Sequence, residues 1–232
     1  MSTGPRIPYT TAITAAALLI ANIAHVCERI EIAGSLRRHS CNPDRPAAAT
    51  VGDIEIVAIP LWHGKTNLLW QRMELLKYRL WEGTYATTGK TYHRAGPLFR
   101  KYWIPSPGTG YYSPRGRDLL IPRAPDKFPC DLYLATRENY GYILALRTGP
   151  DDFNRLMVRA RTQNGLKPPD ITLDGGKVWM AVKGGEVDRV QWHVPRESDF
   201  FRALELELIP PHLRSGDVQA MLAYHRALDL AA

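Results

Sequence analysis

Hydrophobic and polar positions fall along the chain in segments of two periods. Pro8 opens a helical pattern with Thr10 or Thr11 placed as N-cap, and apolar residues run on to Val26. A short strand, Arg29 to Ala33, follows, and a polar stretch from His39 to Thr50 with two prolines reads as a loop. Asp53 to Ile59 is β-rich, bounded by Gly52 and Pro60, and apolar on both faces near its end, as in a central strand. Leu69, Met73, Leu76 and Leu80 recur at helical spacing, with Thr66 placed to cap that helix. Residues 81–128 are rich in Gly, Pro, Tyr and Arg and predict hairpins and loops, with a strand at Phe99 to Ile104. A buried strand, Cys130 to Ala135, comes next.

The helix best defined by its pattern begins at Asp151 or Asp152, with Phe153, Leu156, Met157 and Ala160 on one face and Gly165 placed to stop it. The last third predicts strands at Lys177 to Lys183 and Val187 to Val194 around a Gly184-Gly185 turn, then a helix from Ser198. The expected class is α+β: a mixed sheet with helices on one side in residues 1–148, of which 81–128 is an insertion, then a small α/β domain in 149–232. At 232 residues either two small domains or one large one can bury a core.

Composition adds two constraints. A net charge of +7 and a sequence pI near 9.4 favour polyanionic partners, nucleic acid first. Cys27, Cys41 and Cys130 are odd in number and widely spaced, which argues for a reducing compartment over a disulfide framework. His39 beside Cys41 is too small a set for a zinc site. The apolar run Ala15 to Ala24 is short for a bilayer span and lacks a basic flank before a cleavage site, so it reads as a buried helix of a cytosolic protein.

The chemistry lies in Gly34-Ser35, in Gly52-Asp53-Ile54-Glu55 and in Asp131. Alternation along a strand puts Asp53 and Glu55 on one face, where two like charges repel unless a cation lies between them. Asp131 interrupts an apolar strand, and burying a lone carboxylate there costs on the order of several kcal/mol. If the two strands are neighbours the three carboxylates converge, and oxygen-only ligands suit magnesium. Two ions about 3.5–4 Å apart would stabilise the attacking and leaving oxygens of an in-line phosphoryl displacement. Gly34 allows close backbone approach, Ser35 can help cradle a triphosphate, and Arg37 and Arg38 can neutralise it. Each piece alone is more often a solvated face, a common turn or a structural ion pair; their order and placement carry the reading.

Ala33-Gly-Ser-Leu-Arg-Arg38 followed by Val51-Gly-Asp-Ile-Glu-Ile-Val57 resembles the signature of DNA polymerase beta-like (family X) enzymes. Arg6-Ile-Pro8, Asp131, the Thr148-Gly149 turn with Asp151 and Asn154, and the segment Glu197 to Arg214 extend the likeness over residues 6–214. The resemblance implies a nucleotidyltransferase palm followed by a thumb-like domain. Asp53, Glu55 and Asp131 would be catalytic and hold two Mg2+ ions, for which Mn2+ can substitute. Arg6, Gly34, Ser35, Arg38, Gly52, Gly149, Asp151 and Asn154 would bind the nucleotide, and Lys90, Arg155 and Arg159 would face a nucleic-acid strand. A (d)NTP and a DNA primer and template are the expected partners, with no membrane, in a cytoplasmic monomer, of the host if the chain is viral or phage-encoded, or nuclear if it is eukaryotic.

The sequence departs from the family at Glu55, where Asp is usual, at the inserted loop 39–50, and at Leu146-Arg147, where the family has an aromatic pair. It also implies a chain that begins at the palm, without lyase or fingers domains. The expected reaction is nucleotidyl transfer to a 3′-hydroxyl with release of pyrophosphate, as in a compact DNA repair polymerase. Alternatives are a template-independent transferase acting on RNA, protein or a small molecule, and a non-catalytic nucleic-acid-binding protein on the same fold. Tyr102, Trp103, Tyr111 and Tyr112 among Arg100, Lys101, Arg115 and Arg117 add aromatics able to stack on bases.

Overall fold

The structure, a computed structural model, describes residues 6–84, 91–107, 127–182 and 188–217. Lys90, Tyr111, Tyr112, Arg115, Arg117 and the Gly184-Gly185 turn lie outside the described residues. The fold is α+β, and the chain divides into two compact units: 1–39 with 44–134, and 40–43 with 135–232. The division falls before the helix Tyr140–Thr148, whereas the sequence pattern places the boundary after residue 148.

Helix α1 (Tyr9–Ile23) begins differently from expectation. Pro8 stands at the N-cap with φ −55°, and no side chain caps the helix. The Tyr9 N–H instead donates to Ala49 O at 2.9 Å, so the 39–50 segment supplies the acceptor that a threonine was expected to provide. A 3₁₀ turn, Ala24–Val26, extends the helical stretch to 18 residues of mean hydropathy 1.4, enough by length and composition to cross a membrane. Ala12, Ala15, Ala16, Leu19 and Ile23 are nonetheless buried in the core of the unit.

Strand β1 (Cys27–Ile32), helix α2 (Gly34–Ser40) and strand β2 (Ile54–Pro60) follow. The expected glycine-serine turn is thus the first turn of a short helix, anchored by buried Leu36. Helix α3 (Leu68–Leu75) is capped by Asn67, not Thr66: Asn67 Oδ1 accepts from the Trp70 N–H at 3.0 Å. It stops before Leu76, where Lys77 takes φ +55°, and Leu80 belongs to strand β3 (Arg79–Leu80) instead of the helix. Strands β4 (Phe99–Pro105) and β5 (Lys127–Leu134) complete a mixed sheet of order β1-β2-β5-β4-β3. Only β2 and β5 run parallel; the other pairs are antiparallel. Ile54, Ile56 and Ala58 of β2, Cys130, Leu132 and Leu134 of β5, and Tyr102 and Ile104 of β4 turn one face toward α1 and α3.

The second unit holds α4 (Tyr140–Thr148), α5 (Asp151–Val158), an antiparallel meander of β6 (Ile171–Asp174), β7 (Lys177–Ala181) and β8 (Arg189–Trp192), and α6 (Glu197–Ala203). Helix α4 and strand β6 have no counterpart in the pattern reading. Helix α5 ends at Val158, because Arg159 turns to an extended backbone with ψ 139°. Ala160 therefore leaves the helix, and Gly165 packs against Arg159, where a Cβ would lie 1.9 Å from the Arg159 carbonyl oxygen.

The aromatic core of this unit, Phe153, Phe200 and Phe201, receives a charged group. Arg214 is 4% exposed, lies 2.8 Å from Glu197 Oε1 and donates twice to Ile209 O. Its guanidinium carbon stands 5.2 Å from the Phe201 ring centroid. Each of the three guanidinium nitrogens has an acceptor, which is what makes burial of the pair tolerable. Replacing Arg214 by Met leaves the buried Glu197 carboxylate without its counter-charge; an unfolding titration should show a loss of about 3–5 kcal/mol. A loss below about 1 kcal/mol would place the pair among ordinary surface ion pairs.

Candidate active site

The parallel register of β2 with β5 sets Glu55 opposite Asp131, and the antiparallel register of β5 with β4 sets Asp131 opposite Lys101. One rung of the sheet therefore reads Glu55, Asp131, Lys101, on the face turned away from α1 and α3. Asp53 sits just ahead of β2. The Lys101 ammonium lies 2.8 Å from Asp131 Oδ1 and 3.7 Å from Asp53 Oδ2. Lys101 and Asp131 side chains are 11% and 10% exposed, so this is a buried ion pair with a second, partly exposed acid beside it. The Tyr133 hydroxyl donates to Asp131 Oδ2 at 3.3 Å, and the Tyr133 ring stacks on Phe99 with centroids 4.8 Å apart.

Glu55 keeps its place on the rung but turns its carboxylate elsewhere. A Cβ built on Gly34 would stand 1.9 Å from Glu55 Oε2, so the acid rests on the one residue at that corner with no side chain. Gly34 also takes φ +64°, a conformation that side chains disfavour. The Ala33 N–H donates to the Glu55 carbonyl at 2.8 Å, which ties β1 to β2 where α2 begins. The expected convergence is thus met by Asp53 and Asp131, around a lysine, while the Glu55 carboxylate stands apart at Gly34. Among the described residues no three His, Cys, Asp or Glu side chains are gathered so as to hold a metal ion.

A cationic cluster adjoins the acids. Arg6 donates to Thr50 Oγ1 at 3.1 Å and to Thr50 O at 2.9 Å. Its charge is felt by both Asp53 and His39. The His39 imidazole is held below its ordinary value by burial and then by the charges of Arg38, Arg45 and Arg6. Arg45 lies over the Tyr9 ring at 3.9 Å. Ser35 and Arg38 belong to α2, and Gly52 to the turn that brings in Asp53. Burial pushes the Asp53 carboxyl above its ordinary value; the like charge of Asp131 adds to this, and Lys101 and Arg6 oppose it.

Gly149, Asp151, Asn154, Arg155 and Arg159 belong to the second unit. Asn154 Nδ2 donates to Leu146 O and Gly149 O, at 2.7 and 3.1 Å, which fixes the start of α5 against the end of α4. Asp151, Arg155 and Arg159 are exposed. Tyr133 and Arg45 are site residues without a sequence expectation, and Lys101, expected among basic residues beside base-stacking aromatics, pairs with the acids instead. The signal for Lys101 was its place in an apolar strand, where a charged residue demands a partner. No protein-family model matches the chain, and neither does any curated protein.

Replacing Lys101 by Met leaves two acids facing each other, and thermal or denaturant unfolding should register a loss of about 3–5 kcal/mol. The double variant with Asp131→Asn should recover more than half of that; equal losses in the two would sink the ion-pair account. Asp53 gives a pH dependence. Its folded value is raised above the unfolded 3.8, so its protonated form is favoured by folding, and stability from this group is lost as pH rises through the folded value. Asp53→Asn should therefore be more stable than the parent at pH 7, with the difference closing below pH 3.8. A constant difference across that range would contradict the assignment.

Proposed function

We propose that the chain is a metal-dependent nucleotidyltransferase that joins a nucleotide from a (d)NTP to a 3′-hydroxyl, in the manner of a compact family X-like DNA polymerase with a palm and a thumb-like domain. The observation that carries the reading is the Glu55–Asp131 rung with Asp53 at its edge, with Arg6 acting on Asp53 and Arg38 on the nearby His39. Acids that can share a cation stand next to positive groups that can take phosphates, which is the pairing that phosphoryl transfer needs.

The donor set fits magnesium in its chemistry: only oxygens are offered, and Asp53 and Asp131 already stand around one cation, the Lys101 ammonium. These two would hold an ion directly, and Glu55 would join them by turning away from Gly34. Bound there, the metal supplies neutralisation of the charge that develops on the reacting oxygens. Arg6 and Arg38 neutralise the triphosphate, Ser35 adds a hydroxyl donor, and Asp131 lies nearest the attacking hydroxyl. Tyr133 steadies Asp131 through its hydrogen bond. Cytoplasmic location and monomeric state belong to the same proposal.

Lys101 also favours a second reading. Three carboxylates on one sheet face would argue for a metal if nothing else balanced them, but here a lysine already lies between two of them and offsets one of their two charges. The same face can thus be held without metal in a nucleic-acid-binding protein that has no activity.

Labelled dNTPs and NTPs, offered with Mg2+ or Mn2+ to a DNA primer alone, a gapped template and an RNA primer, separate the readings. The expected result is extension that disappears in Asp53→Ala and Asp131→Ala. Templated extension identifies a polymerase, and untemplated extension a terminal transferase whose preferred primer names its partner. No extension on any acceptor, with nucleic-acid binding retained, selects the non-catalytic reading.

A further inference from the structure

The opposite face of the first unit carries a cavity of about 580 Å3. It is lined by the hairpin Trp62–His63 and Thr66–Asn67, by α3, and by Arg100 of β4. Arg100 is the sequence neighbour of Lys101, so alternation sends its side chain to the α3 side and away from the carboxylates. The cavity lies within the range of small-ligand sites.

Three features of its lining point to one ligand chemistry. Trp62 is 59% exposed, an indole face presented to solvent from a hairpin that turns at Gly64 with φ +58°. Exposed aromatic faces beside cations are stacking platforms for bases. The Arg100 guanidinium carbon lies over the Trp70 ring 4.5 Å from its centroid, with a guanidinium nitrogen 3.4 Å from Glu74 Oε1, and Lys65 stands exposed on the hairpin. The third feature is Asn67, which is 8% exposed and lines the cavity. Its Oδ1 must face the Trp70 N–H to cap α3, which fixes the amide orientation and leaves Nδ2 with no hydrogen-bond partner. A buried donor left unpaired costs about 1–3 kcal/mol, which an acceptor from a ligand would relieve.

We infer that this cavity is a second nucleotide-binding site, taking one nucleotide unit with its base stacked on Trp62, an acceptor of the base paired with Asn67 Nδ2, and its phosphate on Lys65 and Arg100. Glu74 limits the site to a single phosphate group instead of a run of them. The unit is either a free mononucleotide or one residue of a single strand, and both present the same chemistry. The inference does not rest on the carboxylate face, and the two stand or fall separately.

The test uses the full chain at low salt and the fluorescence anisotropy of a labelled dT ten-mer, with dTMP and AMP as competitors. Trp62→Ala should weaken binding roughly 5- to 100-fold, the range of a lost stacking contact. Asn67→Asp keeps an acceptor to cap α3 but replaces the donor, and should weaken binding while helix content by circular dichroism stays unchanged. Displacement of the ten-mer by either mononucleotide assigns the site to free nucleotides, and failure to displace assigns it to a strand. Wild-type affinity in both variants, or no binding of any probe by the wild type, overturns the proposal. An Asp131→Asn control should retain the Trp62-dependent component, so that loss of primer extension and loss of this site are read independently.

Discussion

The parallel pairing of β2 with β5 is the constraint on which the acidic face depends. Because the two strands are fixed at Ile54–Cys130, Glu55–Asp131 and Ile56–Leu132, a one-residue slip of either would carry its acid into the core and expose its apolar residues, Ile54 and Ile56 or Cys130 and Leu132. The hydrophobic face thus sets the polar one. The position of β4 then decides what balances the charge. Its antiparallel register offers Lys101 to Asp131, and an ammonium in a largely enclosed place holds two carboxylates that would otherwise repel.

The second unit meets a similar problem with a different answer. Arg214 and Glu197 are also a buried pair, but the guanidinium divides its donors between the carboxylate and a backbone carbonyl and lies against phenylalanine rings. That arrangement engages all three guanidinium nitrogens inside the core of the unit. Lys101, by contrast, holds its acids with a compact charge on a flexible stem, and Arg6 also acts on Asp53. The contrast separates a group that closes a core from one that shapes a surface.

Much of this was legible in the sequence where two signals agreed. The strands around Asp53, Phe99 and Asp131 were marked by apolar runs with turn residues at their ends, and they form the centre of the sheet. The helix that begins at Asp151 was marked by its apolar stripe. Helix α4 was missed because nearly every residue in it is apolar or aromatic, so no stripe stands out. Helix ends failed for a different reason. The caps depend on tertiary partners such as Ala49 O for Tyr9, or on left-handed residues such as Lys77, and neither is written in a local pattern. The acids could be picked out by residue type, but the turn of Glu55 onto Gly34 and the arrival of Lys101 depend on strand order, which periodicity does not encode.

The close approach of Glu55 to Gly34 brings two positions together that are constrained for different reasons. A side chain at 34 would meet the far end of the Glu55 side chain, which can swing aside, so the lasting bar to substitution at 34 is its left-handed backbone with φ +64°. Shortening 55 to aspartate would withdraw the oxygen by one methylene and open the corner, although the left-handed backbone at 34 would still favour glycine. A descendant of this chain could therefore change the acid at 55 without freeing position 34, whose backbone keeps glycine whatever stands opposite it.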